Sequence, residues 1–263
     1  MRAAVYTGTR NLYPYMVAAA KSLAANSSVE KIFFLIEDDK FPEALPPLVE
    51  TINVSGQKWF PADGPNMKSQ FTYMAMVRAC LTKILPADLD RVLSLDVDTV
   101  ITDNIDELWE LDMDRKWFAM VEEKYTTRHV YGIHYYNAGV AVFNLAEIRK
   151  DKADDDMVKM LNEDQMPYID QDAMNRLGYP RKILEIPVRF NECMVNGFTE
   201  HPAIVHYAGF RDGWTNQLAP RREYYAKYRD MTWEQALKGR DSGEAPKPEK
   251  KPARRKTAKK AEA

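Results

Sequence analysis

Short, almost unbroken apolar runs occur in this chain at residues 3–7, 31–36 and 91–101. Such runs predict strands buried on both faces, as in a parallel sheet, rather than strands with one wet side. Between the first two, residues 15–25 are apolar at most positions, broken at Lys21 and Ser22, and predict a helix packed on that sheet. Strand, helix and strand form one βαβ unit with a right-handed crossover. Residues 42–47 are a proline-marked seam before a short helix and strand that end near Phe60. Phe71, Met74, Val77, Leu81 and Ile84 recur at helical spacing, from Ser69 or Thr72 until Pro86 stops them.

After a turn at 103–109, residues 117–121 and 135–145 read as strands, the second carrying Gly139 where a backbone or ligand approaches closely. A helix from about 145 to 162 follows, then a helix start at 169–175 with acidic residues in its first turn. Residues 183–186 and 203–206 are short apolar strands. The alternation predicts one α/β domain over residues 1–240 with a mostly parallel central sheet. Residues 241–263 carry no aromatic or branched apolar side chain and are expected to form a disordered Lys/Arg/Pro/Ala-rich tail.

The run at 91–101 is interrupted by Asp96 and Asp98. Alternate side chains of an extended chain share a face, so both carboxylates lean toward one point as the strand ends. They repel unless something positive sits between them, and carboxylate oxygens are hard ligands suited to magnesium, manganese or calcium. Open α/β sheets place such sites at the carboxyl ends of their strands. Most Asp-x-Asp pairs are turn or cap features, and the apolar run before this one strengthens the metal reading without settling it, so the rest of the chain has to decide.

A formal charge of −2 implies neither nucleic acid nor acidic membrane as a partner of the whole chain. The total hides an asymmetry: residues 241–263 hold eight Lys or Arg against four Asp or Glu, a local +4 that leaves −6 for the first 240. Such a tail suggests weak contact with an anionic membrane or nucleic acid, against the plainer role of a solubilising end. Cys80 and Cys193 show neither metal-like nor redox-like spacing and read as reduced structural thiols. No apolar run reaches bilayer-spanning length and no signal-peptide pattern opens the chain. The expectation is a cytoplasmic protein, with any membrane contact peripheral.

Four separated stretches fit one pattern: Leu95-Asp-Val-Asp98 after a helix carrying Arg78, Tyr136-Asn-Ala-Gly-Val140 leading to Asn144, Asp170-Gln-Asp172 with Asn175, and His206-Tyr-Ala-Gly209 followed by Trp214. In this order they resemble the family eight glycosyltransferases, retaining enzymes of GT-A fold that include glycogenin-like and lipooligosaccharide galactosyltransferase-like members. The resemblance covers roughly residues 3–214. It implies a Rossmann-like nucleotide-diphospho-sugar transferase domain and transfer of a hexose from a UDP-sugar to a hydroxyl acceptor on a glycan, lipid or protein. It also implies Mn2+ held by Asp96, Asp98 and His206, a donor set of two carboxylates and an imidazole that suits manganese better than calcium.

By the same resemblance Thr7, Gly8, Thr9 and Asn11 hold uracil and ribose, and Val97 faces the donor between the two aspartates. Asn137 and Ala138 face the sugar hydroxyls, while Gly209 and Arg211 meet the diphosphate. Arg78 reaches the donor sugar and neighbouring carboxylates, Asp170 binds sugar hydroxyls, and Gln171 lies beneath the anomeric carbon. Plainer readings are an exposed helix arginine for Arg78, a helix N-terminus for Asp170 and Gln171, and a core histidine for His206. Gln171 is a poor nucleophile, which favours departure and attack on one face of the sugar. Glu122 or Glu123 is a further candidate for acceptor or sugar contact.

The chain also departs from the family. Thr9 stands where an acidic residue is common, and Leu12 where a tyrosine is, with Tyr13 one place later as a base-stacking substitute. Asp212-Gly213 replaces a Lys-Pro whose lysine grips the diphosphate, leaving Arg211 to supply the charge. Two other readings are weighed: a sugar nucleotidyltransferase, which would want a basic glycine-rich first loop, and a non-catalytic relative that binds sugar nucleotide or glycan.

Overall fold

The chain is described from a computed structural model over residues 1–69, 71–126, 134–208 and 220–241. Its strands are β1 (Ala3–Thr7), β2 (Lys31–Ile36), β3 (Val49–Asn53), β4 (Arg91–Leu95), β5 (Thr99–Ile101), β6 (Phe118–Glu122), β7 (Tyr136–Asn144), β8 (Ile183–Glu185) and β9 (Ile204–His206). The helices are α1 (Tyr13–Asn26), α2 (Tyr73–Met76), α3 (Leu81–Ile84), α4 (Lys124–Thr126), α5 (Leu145–Asp151), α6 (Ala153–Glu163), α7 (Ile169–Gly178), α8 (Arg222–Asp230) and α9 (Trp233–Asp241).

Seven strands form one sheet in the order β3-β2-β1-β4-β7-β6-β8, parallel except where β7 runs against β4 and β6. The expected α/β fold with a mostly parallel central sheet is what the chain forms. Burial on both faces explains the unbroken apolar runs. Val5, Phe33, Val92 and Phe118 point to one side, where α5, α6 and α7 pack through Ile148, Met157 and Ala173. Ala4, Phe34, Leu93 and Ala119 point to the other, against Met16, Ala20 and Leu23 of α1. Chain order reverses between β1 and β4, and open α/β sheets bind ligands at the carboxyl ends of strands beside such a reversal.

The stretch read as a single strand at 91–101 is two strands. After Leu95 the chain leaves the large sheet in a tight turn, in which the Thr99 N–H and hydroxyl both donate to the Asp96 carbonyl. It then enters a separate two-stranded sheet as β5, antiparallel to β9, with Thr99 opposite His206 and Ile101 opposite Ile204. This small sheet carries the far end of the chain to the tip of the central strand.

Other expectations need correction too. Among the described residues between 37 and 60 there is a strand, β3, but no helix. The helix foreseen at 72–85 runs from Tyr73 to Ile84 with a 3-10 turn at Val77–Cys80 between α2 and α3. The helix foreseen at 145–162 breaks at Lys152, whose φ of 57° ends α5 in the left-handed region and opens α6. The tail at 242–263 lies outside the described residues.

Helices α8 and α9 were not foreseen. They lie on the second face of α1, where Ala18 and Ala25 leave room for Tyr225, Tyr228 and Ala236, over Val100 of β5 and Val205 of β9. That explains why α1 is apolar nearly all round. Tyr228 is buried, and Asn26 donates from its amide nitrogen to the phenol oxygen at 2.7 Å. Tyr228→Phe should cost about 1 kcal/mol of stability, since Asn26 keeps its bonds to the Ser22 and Ile101 carbonyls. Tyr228→Ala should cost about 3–5 kcal/mol by analogy with other large aromatic truncations. Urea melts of the two variants check the difference.

Candidate active site

Asp96 begins the turn after β4 and Asp98 ends it, while β9 delivers His206 from the far end of the chain. The ring Nε2 lies 3.3 Å from Asp98 Oδ1 and 3.6 Å from Asp96 Oδ2, and all three side chains offer donor atoms to one point. His206 is only 5% exposed. Burial opposes a charge on the ring, but Asp98 outweighs it and, with Cys193 as a further neighbour, holds the His206 pKa well above the ordinary histidine value. The two carboxylates therefore demand a positive partner. A divalent cation fits that demand, with two hard oxygen donors and one borderline nitrogen, and would displace a proton as it bound.

A buried arginine ties this corner to the next. Arg78, on the 3-10 turn between α2 and α3, donates from one terminal nitrogen to Asp96 Oδ1 at 2.7 Å and to the Ala138 carbonyl at 2.9 Å. Its Nε lies 2.8 Å from Asp170 Oδ2. Arg78 is 6% and Asp170 2% exposed, so Arg78 is not the exposed helix arginine of the plainer reading. Burial pushes Asp170 up to about 6, against the pull of Arg78. Burial works against the guanidinium charge as well, but Asp170 and Asp96 together hold it firmly charged.

The third element is an irregularity in β7. Its register with β6 jumps between Met120 and Val121, which pair with Ala141 and Asn137, so residues 138–140 bulge away from β6 while Val140 still pairs with Leu95 of β4 and the Gly139 carbonyl accepts from Asp96 N–H. The bulge frees the N–H groups of Ala138 and Gly139 from the ladder. Ala138 N–H donates to Gln171 Oε1 at 2.9 Å, and Gly139 N–H to Asn137 Oδ1 at 2.9 Å. Gln171 Nε2 in turn donates to Glu123 Oε2 at 3.0 Å. Ile169, just before Asp170, has a φ of 37°, a genuine outlier for a β-branched residue. Asn175 anchors α7 to the strand by bonding both backbone groups of Tyr136.

Gly139 is required by contact. A Cβ there would lie 2.1 Å from His206 Cε1 and 2.7 Å from both ring nitrogens.

The first loop sits at the same edge. Tyr6 pairs with Leu95, so Thr7 and Gly8 leave β1 beside the Asp96 turn, and a Cβ on Gly8 would lie 3.6 Å from Val97 Cγ1. The Thr9 hydroxyl donates to Asn11 Oδ1 at 2.6 Å, Thr9 being half-buried and Asn11 exposed. Tyr13 is not available for base stacking: it is 1% exposed, lies against Phe41, and is bonded through its hydroxyl to Asp38 and the Glu37 N–H. Gly209, Arg211, Asp212, Gly213 and Trp214 fall outside the described residues. The structure thus brings together Asp96, Asp98, His206, Arg78, Asp170, Gln171, Asn137 and Ala138, with Thr7, Gly8 and Val97 at the rim. Of the candidates Glu122 and Glu123, it is Glu123 that meets Gln171, and motif reading missed Asn191, a buried residue that contacts both Asn137 and His206.

The family model described as glycosyl transferase family 8 matches residues 4–217. Among solved structures, the glycosyltransferase GlyE of Streptococcus pneumoniae TIGR4 aligns over 92% of this chain and 63% of its own, at 20% identity and a TM-score of 0.69. The galactosyltransferase LgtC, solved with donor and acceptor sugar analogs, aligns over 89% of this chain and all of its own, at 21% identity and a TM-score of 0.69. These likenesses show a shared GT-A fold. A curated relative, glycosyltransferase GlyA of S. pneumoniae serotype 4, is 27% identical over 118 residues, which are 40% of this chain and 17% of that protein. The chain therefore spans only a fraction of GlyA and about two thirds of GlyE. Among the described residues no helix is long and apolar enough to cross a membrane.

Proposed function

Because the chain belongs to glycosyl transferase family 8, and is by that membership a glycosyltransferase, we propose that it transfers a hexose from a UDP-sugar to a hydroxyl acceptor with retention of configuration. The observation that carries this reading is the convergence of Asp96, Asp98 and His206 at the reversal point of the sheet. These three side chains would hold Mn2+, which when bound neutralises the donor diphosphate as its bond to the sugar breaks. Thr7, Gly8, Thr9 and Asn11 take the nucleoside beside Val97, and Gly209 and Arg211 lie on the segment that meets the diphosphate.

Arg78 holds Asp96 and Asp170 apart yet neutralised, so that Asp170 presents a carboxylate to sugar hydroxyls from a fixed position. Gln171 is engaged at both ends of its amide, by Ala138 N–H and Glu123, which disfavours it as a nucleophile. That supports departure and attack on one face, with the leaving phosphate taking the acceptor's proton and the aligned amide dipole facing the developing positive charge. A cavity of about 300 Å³ opens between Glu122, Lys124, Glu185 and Pro187, and its polar rim suits an acceptor rich in hydroxyl groups.

The test is a screen of UDP-sugars for hydrolysis and transfer in the presence of Mn2+, with Asp98→Asn alongside. The expected result is Mn2+-dependent turnover of one UDP-hexose, reduced at least about 100-fold in the variant as in other losses of preorganised charge. UDP and Mn2+ binding without turnover of any donor would favour a non-catalytic sugar-nucleotide binder instead.

A further inference from the structure

Asn191 has no role in the motif pattern, yet its side chain is fully enclosed beside the site. It follows a 3-10 turn at Val188–Phe190 and is fully buried. Its Nδ2 is 2.8 Å from Asn137 Oδ1, and its Oδ1 is 2.8 Å from His206 Nδ1. Together with Glu123 and Asn137 it completes a buried chain of polar contacts that runs from Gln171 to the imidazole.

Each amide in that chain has its orientation dictated from the backbone. Gly139 N–H can only donate, so the Asn137 atom it meets at 2.9 Å is the oxygen. The same oxygen faces Asn191, which must therefore turn its NH₂ toward Asn137 and its carbonyl toward His206. A carbonyl oxygen accepts only, so the His206 Nδ1 must carry a proton. That leaves Nε2 as the ring nitrogen directed at Asp98 and Asp96.

We propose that Asn191 is a positioning residue that fixes the Nδ1–H form of His206, so that Nε2 is the nitrogen offered to a divalent cation. The instruction originates in the β7 bulge, where Gly139 N–H is released from the ladder, and reaches the ring through Asn137 and Asn191. The proposal rests on the metal-centre reading for its purpose but not for its geometry. The partner that fixes the tautomer of a metal-ligating histidine is commonly a carboxylate or a backbone carbonyl, and its loss typically weakens metal affinity 10–100-fold. Here a side-chain amide takes that place.

Proton NMR of the metal-free protein, with the four histidines assigned by substitution, tests it together with Mn2+ titrations. Wild type should show a protected His206 Nδ1–H resonance. Asn191→Asp retains an acceptor toward the ring and should keep that resonance, while its carboxylate loses the donor that met the Asn137 oxygen. Asn191→Leu should lose the resonance and bind Mn2+ about 10–100-fold more weakly. A wild-type ring with no proton on Nδ1 overturns the proposal without recourse to any variant, as does an Asn191→Leu protein that keeps the resonance and full affinity. If wild type takes up no Mn2+ at all, the metal-centre reading fails while the protected resonance still tests the Nδ1–H contact to Asn191.

Discussion

Gly139→Ala is expected to weaken divalent-cation affinity by about 10–100-fold, in line with the loss of support for a metal-ligating histidine. The new Cβ would sit 2.1 Å from His206 Cε1, and neither side can give way cheaply. The ring is enclosed, held at Nδ1 by Asn191 and faced at Nε2 by two carboxylates. The backbone is held as well, because the Gly139 carbonyl accepts from Asp96 N–H at 2.8 Å and Val140 pairs with Leu95. Relief by displacing the imidazole removes a ligand, and relief by shifting β7 moves Asp96. A stability loss of about 1–3 kcal/mol should accompany either route. Mn2+ titration and thermal melts check both effects, and wild-type affinity in the variant would mean that His206 is not held where the contact requires.

Arg78→Ala should be the most destabilising single change in the site, at about 3–5 kcal/mol near neutral pH, because it strands buried charge. Asp170 would keep its burial and its repulsion by Asp96 but lose the cation that opposes them. Its folded pKa, already about 6 in the intact site, would rise further above the unfolded value. A carboxyl whose folded pKa is raised binds its proton more tightly when folded, so its contribution to stability falls as pH climbs from the unfolded pKa through the folded one. In wild type that window closes near pH 6. In the variant it extends above 6, so the stability gap between the proteins should be wider at pH 8 than at pH 5. Urea melts at the two pH values measure it, and a gap of equal size would show that Asp170 does not depend on Arg78. Arg78→Lys should recover part of the stability but little activity, since one ammonium cannot serve Asp96, Asp170 and the Ala138 carbonyl in their fixed directions.

The large sheet was legible because burial on both faces writes itself into sequence as uninterrupted Val, Ile, Leu and Phe. The two aspartates were legible for the converse reason, as charge where a strand should have none. What escaped detection has little periodicity to give it away. Strand β9 was legible at 203–206, but β5 reads as the end of one strand at 91–101, and the pairing of β5 with β9 that seats His206 beside Asp98 leaves no mark in either segment alone. Lys152 ends a helix without a glycine or proline to mark it. Helix α8 buries only two tyrosines among charged residues, a pattern that reads as polar until α1 is known to need a second cover. Asn191 sits in irregular backbone with no motif around it, and its importance appears only when its two partners, 54 and 15 residues away in sequence, are seen on either side. Tyr13 shows the opposite error: proximity in sequence to the nucleoside loop suggested a stacking surface, whereas the fold uses the ring as core.

The most direct measurement is the anomalous scattering of manganese in crystals soaked with Mn2+ and UDP. One peak is expected, within about 2.0–2.6 Å of an oxygen from each of Asp96 and Asp98, by analogy with other hard divalent cations, and close to His206 Nε2. A peak that leaves out the imidazole, or none at all with UDP bound, would contradict the proposed centre.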